Sequence, residues 1–137
     1  MIYSVNFLAV LAATVAAYAV GALWYTALFS KKWKMLMGFT DDVMKSMKMT
    51  PTGAMSGGFV ATLLMVFVLA NLLAMFSITS VGTALTFAFW IWLGFVATIM
   101  SNVVWYENRS WSLYFINASH YFFAILIAAY VLAWWPW

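Results

Sequence analysis

Four long apolar stretches, each without a single Asp, Glu, Lys or Arg, constrain this chain more than any motif does. They run over about 5–29, 52–76, 80–106 and 110–135. A hydrocarbon core about 30 Å thick is crossed by roughly 20 residues of helix, so each stretch is long enough to span it. Only 7% of the chain is charged and 68% is hydrophobic, whereas a soluble domain carries about 25% charged residues. A chain of 137 residues with this balance lacks the polar groups to cover a water-facing surface, so its solvent is lipid. The expected fold is therefore all-α and integral to the membrane: one domain over 1–137, an antiparallel bundle of four transmembrane helices. Short links at Ser77-Ile78-Thr79 and Glu107-Asn108-Arg109-Ser110 imply that the helices they join are neighbours. The first stretch is read as a retained helix, because no Lys or Arg precedes it and it is too long for a signal-peptide core.

Charge sets the expected direction. Lys31, Lys32, Lys34, Lys45 and Lys48 lie between the first and second stretches, and Arg109 lies between the third and fourth. Four spans put both loops on one side, and the positive-inside rule makes that side the cytoplasm. Loops 30–50 and 107–110 are thus expected inside a bacterial inner membrane, with both termini outside. Trp24, Tyr25, Trp33, Trp105 and Trp111 are expected as anchors at the inner interface, and Tyr3, Trp134, Trp135 and Trp137 at the outer one. The net charge of +3 follows from these loop lysines and does not imply nucleic acid. Within 30–50, Lys31–Met37 reads as an extension of the first helix up to Gly38. Thr40 then caps a short amphipathic helix from Asp41 to Met49, expected to lie on the membrane surface.

Helices in lipid associate through small residues that let backbones approach. Ala9, Ala13, Ala17 and Gly21 form a four-residue stripe on the first helix, Gly53, Gly57 and Ala61 open the second, Gly94 and Thr98 lead to Asn102 on the third, and His120, Ala124 and Ala128 share a face of the fourth. These stripes predict close packing, with one of them available for a homo-oligomer contact.

Uncharged polar groups are what remains at membrane depth. Asn102, Asn117 and His120 fall in the inner half of the third and fourth helices, and Asn6 and Asn71 near the outer ends of the first two. The first three either hold helices together or form a polar path for a solute. Trp90 and Trp92 lie near mid-membrane on opposite sides of the third helix, where one is a candidate for contact with a lipid or another hydrophobic ligand. The absence of Cys excludes a disulfide framework and thiolate chemistry. A lone His does not make a zinc site, which takes three or four ligands. No catalytic set, metal site or cofactor motif is present, so the expected function is non-enzymatic: an oligomeric structural or accessory bundle. A small-solute channel or transporter is the alternative, and a hydrophobic-ligand binder the third.

Gly21-Ala22-Leu23-Trp24-Tyr25 leads through Leu28-Phe29 to Lys32-Trp33 and Met37-Gly38-Phe39. Later come Trp92-Leu93-Gly94-Phe95-Val96, Tyr106-Glu107-Asn108-Arg109 and Ile116-Asn117-Ala118. In this order they resemble a family of small bacterial four-span membrane proteins, domain of unknown function 1761. The resemblance implies the four-span architecture and an inner-membrane setting, and implies no activity. Family members often read Asn-Ala-Gly-Tyr where this chain has Asn117-Ala118-Ser119-His120, so His120 is not implied to carry a shared activity.

Overall fold

At the start of each of the four long helices, a side-chain oxygen meets orphan backbone N–H groups of the first turn. Asn6 Oδ1 accepts from Leu8 and Ala9 N–H at 3.0 and 3.2 Å, and Thr50 Oγ1 accepts from Gly53 N–H at 3.0 Å, with Pro51 at the first helical position. Ser80 and Ser110 accept in the same way from Thr83 and Leu113 N–H. The computed structural model describes residues 4–136 and contains no strand among them. Tyr3 and Trp137, expected as outer anchors, lie outside the described residues.

The helices are α1 (Phe7–Leu28), α2 (Ser30–Met37), α3 (Asp41–Lys45), α4 (Pro51–Met75), α5 (Val81–Trp105) and α6 (Trp111–Trp134). Among them α1, α4, α5 and α6 are long and apolar enough to cross a membrane. Two are not uniform. The last part of α1, Leu23–Leu28, winds as a π-helix, and so does Leu93–Ala97 within α5. Beyond it α5 is broken again by a turn at Ser101.

Small residues decide the packing. Ala9, Ala13 and Ala17 of α1 are fully buried, as are Ala124, Ala128 and Ala129 of α6 and Ala84 and Ala88 of α5. α6 packs along both α1 and α5, while α4 lies along α1. Three residues of the α1 stripe, Ala9, Ala13 and Ala17, thus lie in the packed interior. On α5 the buried alanines take the place expected for Gly94, Thr98 and Asn102, which are exposed. α4 buries Val66, Leu69, Ala70 and Leu73 in its second half. Gly57 faces open space, and Gly53 sits against its own neighbours Met49 and Thr50. The short link had implied that α4 and α5 lie side by side. They touch at their linked ends, where the Phe76 and Phe87 rings are 5.5 Å apart. Beyond that point they part around an apolar groove of about 640 Å³ whose walls include Leu64, Val68, Leu72, Phe95 and Ile99.

The segment between α1 and α4 also departs from expectation. α2 does not continue α1: Phe29, at φ −124° and ψ 14°, breaks the helix, and α2 turns to pack against α6. Gly38 ends α2 in the left-handed conformation at φ 72°. There the Phe39 and Gly38 N–H groups donate to Lys34 and Met35 carbonyls, the two bonds of a Schellman cap. α3 stops at Lys45 rather than at Met49. Thr50 is extended (φ −75°, ψ 154°), as suits a residue that caps α4 and precedes Pro51, and residues 46–49 turn and bend the chain into it.

Candidate functional site

An extra residue per turn re-aims the side chains of a π segment and marks many functional sites. In α1 that segment carries Trp24 and Tyr25. Both point toward α6. Trp24 Nε1 donates to the Ile116 carbonyl at 3.0 Å, and Tyr25 Oη donates to Asn117 Oδ1 at 2.7 Å. From α5, Trp92 Nε1 donates to the Ala118 carbonyl at 2.9 Å. Trp92 immediately precedes the second π segment, whose last residue, Ala97, accepts from Tyr114 Oη at 2.9 Å. One stretch of α6, 114–118, is thereby clamped on both sides by four aromatic hydrogen bonds. An N–H or O–H left without a partner in hydrocarbon costs several kcal/mol in principle. These bonds therefore fix the rotation of α6 as well as its distance from α1 and α5.

His120 lies one turn beyond the clamp. Its ring meets Tyr25 edge-on at 5.0 Å between centroids and Tyr121 at 4.6 Å. Nδ1 is buried with no hydrogen-bond partner among the described residues. The imidazole presses so close to α1 that a Cβ added at Gly21 would stand 3.0 Å from Nε2. The small-residue stripe of α1 ends in glycine because the histidine fills the space an alanine would need.

The His120 ring forms part of the wall of a cleft of about 560 Å³ between α1, α4 and α6. Ala17, Gly21, Met65 and Ala124 supply apolar wall, Tyr25 and Tyr121 flank the imidazole, and Trp33 contributes from α2. Tyr18, also on the wall, ties α1 to α4 by donating to the Met55 carbonyl at 2.9 Å. None of the lining residues is charged.

Asn117 and His120 thus come together with Tyr25, as their three-residue spacing suggested. Asn102 does not join them. It is exposed on the last turn of α5 and lines neither the cleft nor the groove. Trp90 is 62% exposed and Trp92 is engaged with Ala118; neither lines either cavity. Asn6 caps α1, and Asn71 Nδ2 donates to the Phe67 carbonyl of its own helix at 2.8 Å. Among the expected anchors, Trp105 and Trp111 are exposed and pack edge-to-face at 5.1 Å. Trp24, Tyr25 and Trp33 instead turn partly inward. The hydrogen-bonding roles of Trp92 and Tyr114 went unread in the sequence, because nothing in residue spacing marks where a helix will wind as π. The closeness of Gly21 to His120 and the place of Tyr121 on the cleft wall had no local signal either.

No curated protein and no solved structure matches the chain. The runs Leu23-Trp24-Tyr25, Trp92 to Val96 and Ile116-Asn117-Ala118, which carry the resemblance noted in the sequence, meet at the clamp on α6. The family model described as protein of unknown function (DUF1761) matches residues 8–133, nearly the whole chain, and the chain belongs to that family.

Proposed function

We propose that the chain is a non-enzymatic accessory component of the bacterial cytoplasmic membrane. In this reading it crosses the bilayer four times as an antiparallel bundle, with both termini outside and the lysine-rich segment 30–50 on the cytoplasmic surface. The observation that carries the reading is the clamp: Trp24, Tyr25, Trp92 and Tyr114 use their polar atoms to hold α6 rather than to face a solute. A transport path would need Asn102 in line with Asn117 and His120, and Asn102 is exposed elsewhere on α5. Assembly into a homo-oligomer is supported by the start of α4, where Gly57 is exposed and has nothing within 4 Å of a built Cβ. Interfaces between helices in lipid are enriched in small residues that let backbones approach closely.

Two measurements test this. A reporter fused to the C-terminus should read outside; a cytoplasmic signal overturns the topology. The chain has no Cys, so Gly57→Cys supplies a unique cross-linking site. Gly57→Cys should give disulfide-linked dimers in native membranes, and Gly57→Leu at the same expression level should lose the dimer that the parent chain shows by size in mild detergent. A monomer in both assays removes the oligomer.

A further inference from the structure

We propose that the cleft between α1, α4 and α6 is a binding site for a membrane-soluble amphiphile: an uncharged head with a hydrogen-bonding oxygen, on a long apolar chain. Four of the polar side chains on its wall already have partners. Tyr18 donates to Met55, Tyr25 to Asn117, Thr62 to the Gly58 carbonyl and Thr26 to the Ala22 carbonyl. Three groups are left. The His120 imidazole makes no hydrogen bond among the described residues, its Nδ1 being sealed inside the protein, and the Tyr121 hydroxyl and Trp33 Nε1 make none either. Where donors elsewhere are satisfied against α6, the cleft keeps the imidazole edge and the exposed Tyr121 hydroxyl side by side, open to a hydrogen-bonding group that is not protein.

Depth selects the head. His120 is nine residues past Trp111 at the start of α6, about 13 Å of helix rise. In the proposed membrane placement that is close to the middle of a core about 30 Å thick. A phosphate or ammonium head there would meet no opposite charge, since no lining residue carries one, and would be strongly disfavoured. A carbonyl or hydroxyl needs only a hydrogen bond, which an imidazole supplies as donor or acceptor.

Shape selects the tail. Ala61, Met65 and Tyr121 line the cleft and also the groove between α4 and α5. The two spaces are therefore neighbours across one narrow wall. With the head beside His120, the chain passes Tyr121 and lies along Leu64, Val68, Phe95 and Ile99, an apolar surface left exposed by the described residues. A quinone with an alkyl tail and a long-chain alcohol share this chemistry.

The test uses the full chain in nanodiscs of zwitterionic phosphatidylcholine. Decyl-benzoquinone, 1-hexadecanol, hexadecane and phosphatidylglycerol are titrated separately, and bound copies are read by native mass spectrometry. One copy of the quinone or the alcohol per chain is expected, at a concentration at least tenfold below that at which hexadecane binds. Which of the two binds more tightly identifies the source of the head. His120→Ala should weaken that binding about tenfold. Ala61→Phe, at an exposed position on the wall between the two spaces, should weaken it at least as much without touching the buried core. The proposal is overturned if neither probe binds, if hexadecane or phosphatidylglycerol binds as tightly as the better of them, or if both folded variants bind like wild type.

Discussion

The Tyr25 hydroxyl donates to Asn117 Oδ1 at 2.7 Å, and this is the one bond of the clamp whose acceptor is a side chain. Trp24, Trp92 and Tyr114 all donate to backbone carbonyls, which no substitution of the acceptor residue removes. The pair is therefore open to a double-mutant cycle. Tyr25→Phe and Asn117→Ala should each destabilise the protein, with a coupling of about 0.5–1.5 kcal/mol, the range of interhelical hydrogen bonds in lipid. Reversible unfolding in mixed micelles, or steric trapping, reads it. Strictly additive single mutants would mean the bond contributes nothing.

Gly21 and His120 form a second pair, linked by volume. A Cβ at Gly21 would stand 3.0 Å from His120 Nε2, tighter than ordinary contact. Gly21→Ala should destabilise by about 1–3 kcal/mol, the usual cost of overpacking. Adding His120→Ala should recover most of that loss, because the small side chain vacates the space. Thermal unfolding of the three variants checks this, and failure of the second substitution to rescue would show that the cost of the added methyl does not come from contact with His120.

How far these features could be read from residues alone depends on how local their causes are. Thr50-Pro51 predicts a helix start because capping and the proline ring act within one turn, and α4 begins there. Gly38 ends α2 for an equally local reason. The stripe from Ala9 to Gly21 was legible as a packing face because α1 is regular over that length. The inward turn of Trp24 and Tyr25 was not. Tryptophan and tyrosine near a span end ordinarily mark the interface, and only the π winding over Leu23–Leu28 swings them toward α6. The separation of α4 from α5 was also hidden, since link length bounds how far two ends can part but not where the rest of each helix goes. Asn102 was placed by depth and by its stripe with Gly94 and Thr98, and neither says which face of a helix meets its neighbours; all three are exposed.

Ser77 holds a position that glycine usually fills. It is left-handed at φ 54°. Its own N–H donates to the Ala74 carbonyl and that of Ile78 to the Leu73 carbonyl, the two bonds of a Schellman cap at the end of α4. A residue with a Cβ pays about 1–2 kcal/mol for that conformation. Ser77→Gly should raise stability by about 0.5–1 kcal/mol, less than the full steric relief because glycine also gains freedom in the unfolded chain. An unchanged or lowered unfolding midpoint would show that the serine side chain compensates.

Trp90 and Trp92 separate packing from hydrogen bonding within one helix. Both are tryptophans of α5, both touch Phe89, and they differ in what the indole N–H reaches. Trp92 Nε1 donates to the Ala118 carbonyl, whereas Trp90 is 62% exposed with no hydrogen bond among the described residues. Phenylalanine retains an aromatic ring and removes the donor in each case. Trp92→Phe should therefore destabilise by about 1 kcal/mol or somewhat more, the net value of one hydrogen bond together with the lost area of the larger ring. Trp90→Phe should stay within about 0.5 kcal/mol of the parent, as exposed substitutions do. Because the Trp92 bond is one side of the clamp on α6, the same substitution should also loosen the helix at Ala118. Faster amide exchange at the following turn, in Trp92→Phe and not in Trp90→Phe, would register that loosening directly. Equal exchange in the two variants would mean that the contacts of α1 hold α6 in place without help from α5.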